Sequence, residues 1–115
     1  MEARVKINRF EYKVKMLEWN DERLRMDDGE LHFGVTDMKD KEIYLANNLD
    51  EQTLTNTIIH EVTHAYIDSY GMLQVEWTDE ILADFMATHL ANICETLKEI
   101  EKGFSKEKAD GKRRV

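Results

Sequence analysis

The chain has 115 residues, no proline, 42% apolar residues and a formal net charge of −8, enough for one modest core and too little for a second catalytic domain. Residues 102–115 carry six basic and two acidic side chains, against ten basic and twenty-two acidic in residues 1–101, and a body that acidic excludes a nucleic-acid-binding surface, which needs clustered Lys and Arg. A single cysteine, Cys94, excludes an internal disulfide framework, and with no apolar run of signal-peptide or membrane-spanning length the chain is expected to be soluble, cytoplasmic and free of the membrane.

From Arg4 to Glu18, β-branched and aromatic residues alternate with charges at Val5, Ile7, Tyr12, Val14 and Met16. Period two predicts one or two half-buried strands, with a turn at Asn8-Arg9. Trp19 to Asp28 is polar and reads as loop or a short helix. Leu31, Phe33 and Val35 alternate again, a polar stretch Thr36–Lys41 follows, and then Ile43, Tyr44 and Leu45, which predicts a hairpin.

The hairpin leads into an amphipathic stretch from about Asn48 to Tyr70, with a capping-box spacing at Asn48-Leu-Asp-Glu51 and a stop at Gly71. Counted at 100° per residue from Leu54, the apolar residues Leu54, Ile58, Val62, Ala65, Tyr66, Ile59 and Tyr70 fill an arc from 0° to about 160°. Inside this helix lies His60-Glu61-Val62-Thr63-His64. The two histidines fall near 240° and 280° by the same count, off the apolar stripe and one turn apart, so both imidazoles can face a single metal ion. Glu61 sits where it can accept the proton of a metal-bound water.

Thr78-Asp79-Glu80 opens a second helix, with Thr78 as N-cap and two acids in the first turn, where the dipole favours them. Its expected apolar arc holds Leu82, Ala83, Met86, Ala87, Leu90, Ile93, Cys94, Leu97 and Ile100. Residues 1–102 then form one domain, and the charged, aperiodic tail 103–115 is expected to be disordered. Strands followed by helices imply an α+β fold, a small, mainly antiparallel sheet packed on two long helices.

A catalytic zinc needs three protein ligands and a place for water. Asp68 shares the helix face of the histidines, but three ligands stacked on one straight helix cannot surround an ion. Glu80 is preferred because a second helix can deliver its carboxylate from the side. Asp84, one turn on, could accept a proton from a liganding imidazole and fix its orientation.

His60-Glu61-x-x-His64 followed by Asp79-Glu80-x-x-x-Asp84 resembles the gluzincin pattern. More narrowly, Thr57–Tyr66 and Trp77–Ala87 look like the compact zinc metallopeptidase-like proteins of bacteriophages and mobile elements related to the ImmA/IrrE type, over roughly residues 31–92. The resemblance implies a minimal zincin-like core, Zn²⁺ held by His60, His64 and Glu80, Glu61 as general base, Asp84 behind a histidine, and hydrolysis of a peptide bond in a specific protein such as a repressor. No motif supplies that family's oxyanion-stabilising group, for which Tyr44, Tyr66, Tyr70 and His32 are the candidates. A substrate strand is expected to add to the edge near Ile43–Ala46. His89 reads as a helix-surface or core-border residue, Cys94 as buried packing, and Trp77 as a staple against the second helix. The alternative function is a zinc-stabilised, non-catalytic binding or regulatory module with the same ligands.

Overall fold

The computed structural model describes the backbone of residues 1–113 and the side chains through Glu107. Two strands, β1 (Glu2–Ile7) and β2 (Phe10–Leu17), are joined by the two-residue turn at Asn8-Arg9. Both turn residues have positive φ, 45° and 76°, the backbone that matches the right-handed twist of a tight hairpin. A 3-10 turn at Glu22–Leu24 follows, capped by Asp21, and then β3 (Gly34–Asp37) and β4 (Glu42–Ala46). The fold is α+β, with α1 at Glu51–Ser69 and α2 at Asp79–Arg113.

The sheet runs β1-β2-β4-β3. Its outer pairs are antiparallel, but β2 and β4 are parallel, so the sheet is mixed. The order corrects one expectation: Ile43–Ala46 belongs to β4, which is paired on both sides, and the edge strands are β1 and β3, of which β3 lies beside the histidines of α1. Alternation along β4 sends Ile43 and Leu45 to the helix-covered face and Tyr44 and Ala46 to a smaller cluster with Leu17 and Leu24 on the other face.

Asp50 caps α1, its Oδ1 accepting the Thr53 N–H at 2.7 Å, two residues later than the expected Asn48. The helix ends where Gly71, at φ +72°, gives its N–H to Asp68 O at 3.0 Å and Met72 gives its N–H to Ile67 O at 2.9 Å. That is a left-handed glycine stop. The Thr78 hydroxyl accepts from the Ile81 N–H at 3.2 Å and caps α2.

The buried face of α2 is Phe85, His89, Ile93, Thr96, Ile100 and Phe104. Leu82 and Leu90, expected inside, are exposed, and so is Cys94. The phase turns because aromatic groups decide it: Phe85 meets Trp77 edge-on at 5.3 Å, and His89 lies 4.4 Å from Tyr70 and 5.8 Å from Tyr66. Nor does the chain lose order at Gly103. A Cβ there would come within 2.8 Å of Ala3 Cβ, so a glycine lets α2 press on β1, and Phe104 is buried beyond it. Of the tail 103–115, the side chains from 108 onward and the backbone of the last two residues lie outside the described structure. Among the described residues, no helix is long and apolar enough to cross a membrane.

Candidate active site

The site is built where α1 lies against the edge strand β3. Thr57 and Glu61, one turn apart, face β3, and Gly34 lets the strand come close: a Cβ on it would lie 2.7 Å from Thr57 Cγ2 and 2.9 Å from Glu61 Cγ. The Thr57 hydroxyl donates to Thr53 O at 2.7 Å, which fixes that methyl in place. Two residues along the strand, Thr36 Oγ1 lies 2.9 Å from Glu61 Oε1 and 3.1 Å from Glu61 O. Glu61 is therefore a buried carboxylate, 6% exposed, with one oxygen held by a hydroxyl.

The histidines stand beside it in solvent. His60 and His64 present their Nε2 atoms to each other at 3.1 Å, with the rings nearly perpendicular. Two nitrogens at zinc-binding distance in a tetrahedral set lie roughly 3.3 Å apart, so the pair is spaced as two ligands of one ion would be. Glu61 Oε2 lies 3.9 Å from His60 Nε2. A shallow cleft of about 360 Å³ runs along the strand past His60 and Glu61, lined also by His32, Phe33, Gly34, Thr53, Asn56 and Thr57. A smaller one of about 170 Å³ joins His32, Gly34 and Thr36 to His60, Glu61 and His64, with Met26 and Met38 at its margin.

The other expected site residues are elsewhere. Glu80 and Asp84 are exposed on the first turns of α2. Among the described residues, no group of three or more His, Cys, Asp or Glu side chains is gathered to hold a metal ion, so the structure does not bring Glu80 to the imidazole pair. The reason is rotational. α2 meets α1 through Tyr66, whose hydroxyl lies 3.0 Å from Thr96 Oγ1, and through Tyr70 against His89. Tyr66 is about 120° and 160° round the helix from His60 and His64. Asp68, the second choice, is occupied by Lys41 at 3.3 Å.

Of the four oxyanion candidates, three are used in packing. The Tyr44 hydroxyl donates to Glu42 Oε2 at 2.6 Å, and burial together with that carboxylate pushes its pKa up. Tyr66 is raised by burial, and Tyr70 stacks on it. Only His32 faces the clefts. Gly34, Thr36 and Thr57 were not singled out from the sequence. A signal for the first two was present, since His32, Gly34 and Thr36 occupy alternate positions of one extended segment.

The sequence matches no protein-family model, and neither a curated protein nor a solved structure matches the chain.

Proposed function

We propose that the chain is a zinc-dependent hydrolase of peptide bonds in which His60 and His64 hold the ion and Glu61 is the general base. The observation that carries this reading is the 3.1 Å approach of two solvent-facing Nε2 atoms beside a buried carboxylate in one cleft. The donor chemistry fits zinc at two positions, and a catalytic ion takes one more protein donor, which the gathered groups do not include. When bound, the ion would polarise a carbonyl and acidify the attacking water. Glu61 would accept a proton from water in the cleft on Oε2, the oxygen Thr36 leaves free.

The substrate class follows from the edge. β3 is the terminal strand of the sheet and borders the cleft, so an extended protein segment can add to it as a further strand and run past the histidines. Phe33, 58% exposed at the mouth of the larger cleft, offers an apolar surface to one side chain of that segment. A regulator with an exposed extended segment suits this geometry.

The missing third donor favours one other reading, a non-catalytic module whose metal pair serves a partner protein. Two measurements separate them. Metal analysis after purification without chelator is expected to find one zinc per chain in the wild type and loss of it in His64→Ala; equal metal in both overturns the ligand assignment. Glu61→Gln is expected to keep zinc and lose cleavage of a quenched peptide library, and unchanged cleavage removes Glu61 as base.

A further inference from the structure

We propose that two copies of this chain associate through the outer face of α2, the two helices running antiparallel about an axis at Ala91. Counted at 100° per residue from Asp79, the buried side chains Phe85, His89, Ile93, Thr96 and Ile100 span about 240° to 320° of the helix. Between Leu82 and Leu97, the polar residues outside that face are Asp84, Thr88, Asn92 and Glu95, and they fill only about 140° to 220°. The rest of the circumference is apolar without a break. Leu90, Ala83, Cys94, Ala87 and Ala91 lie on it at about 20° to 120°. All five are exposed, Leu90 at 48%. Met86 and Leu97, half-buried against the core, join this arc to the covered side.

A helix with so narrow a polar face is suited to being covered on two sides. The chain itself covers one. α1 reaches α2 through Tyr66 at Thr96 and Tyr70 at His89, at least about 100° round the helix from Leu90. The small side chains flanking Leu90 let a second helix come close enough for the leucine to seat between its neighbours.

The charges along the rim of this face point to a second copy as its occupant. Glu80 and Asp84 stand on the solvent side of the arc, at about 100° and 140°, and Lys98 and Lys102 fall at the same two angles further along. All four are exposed. Lys98, 3.5 Å from Glu95, is 72% exposed and loses little by turning to another carboxylate. Asp84 and Lys98 are each seven residues from Ala91, and Glu80 and Lys102 are each eleven. A two-fold axis at Ala91 therefore sets Asp84 against Lys98 of the second copy and Glu80 against its Lys102, and each pair forms twice. An isologous contact requires this symmetry, and a contact with an unrelated protein does not. Cys94 is three residues from the axis, so the two thiols are set about 9 Å apart along it, too far for a disulfide and within reach of a short bismaleimide.

Sedimentation equilibrium of the full chain measures the association, in reductant and with EDTA to exclude a metal bridge through the exposed histidines. About four helical turns bury less than about 1,200 Å² in all, so a dimer with a Kd of roughly 10–100 µM is expected. Leu90→Lys is expected to weaken it at least about tenfold, because a charge then sits in the middle of an apolar contact. At low salt, Asp84→Lys and Lys98→Asp are each expected to weaken it by about three- to tenfold, and the double variant to return within about twofold of wild type. A monomer up to about ten times that Kd, a dimer that Leu90→Lys leaves intact, or a double variant no tighter than its parents overturns the proposal. A second reading needs no variant. The wild-type chain is expected to cross-link to a dimer through Cys94 with a short bismaleimide at about 100 µM and not at about 1 µM, and no cross-link at either concentration overturns the antiparallel pairing at Ala91.

Discussion

Gly34→Ala tests the close approach on which the site depends. The added methyl would sit 2.7 Å from Thr57 Cγ2, 2.9 Å from Glu61 Cγ and 3.3 Å from Glu61 Cδ. Neither neighbour is free to give way, because the Thr57 rotamer is tied to Thr53 O and the Glu61 carboxylate is tied to Thr36. The strand must therefore back away from α1. Overpacking of this kind costs about 1–3 kcal/mol, against about 0.4–1 kcal/mol recovered from a stiffer unfolded chain, so a net loss on the order of 1–2 kcal/mol is expected. For a domain of this size that lowers Tm by roughly 3–10 °C. Urea unfolding of wild type, Gly34→Ala, Thr57→Ser and the double variant measures it. The serine removes the closest clash, so the alanine is expected to cost at least about 0.5 kcal/mol less in that background. A Gly34→Ala protein with the wild-type midpoint, or an equal cost in both backgrounds, would refute the claim that a side chain at 34 is excluded by the helix.

Two further outcomes are expected. Arg9 holds φ at 76° in the β1–β2 turn, a conformation that charges a non-glycine residue about 1 kcal/mol, so Arg9→Gly is expected to raise stability by up to about that amount in urea unfolding. His89 is buried with Nδ1 unpaired, and burial lowers its pKa. The neutral ring is favoured in the fold while the unfolded chain binds a proton at the ordinary value of about 6.5. Its contribution to stability is thus full above that pH and is lost as the pH falls toward the lower folded value. His89→Phe is expected to flatten the fall in unfolding midpoint between pH 7.5 and 5.5, and an unchanged slope would show that the ring is solvated.

The parts that were legible in the sequence are those set by local period and turn chemistry. Val5, Ile7, Tyr12 and Val14 are buried as alternation required, and Gly71 stops α1. The helix count also placed His60 and His64 off the apolar stripe, where the structure has them. The phase of α2 was not legible, because apolar residues alone do not show that His89, packed against Phe85, will be drawn onto Tyr66 and Tyr70. Sheet order was not legible either, since the parallel pairing of β2 with β4 joins segments about thirty residues apart with no local signature.

That order decides the chemistry of the site. Both helices lie on one face of a sheet whose last strand is β3, so one flank of α1 receives α2 and the other faces the edge strand. The tyrosines of α1 occupy the first flank and the histidines the second. A carboxylate on the first turn of α2 is then on the wrong side of α1 to meet the imidazoles, however well its spacing in the chain suits a ligand. β3 and the loop before it line the cleft beside His60 and His64 with Met26, His32, Gly34 and Thr36. Thr36 already serves Glu61, and Gly34 has no side chain. Of the residues lining the cleft from that wall, His32 carries the one ionisable side chain, so its substitution tests the site more directly than that of Glu80.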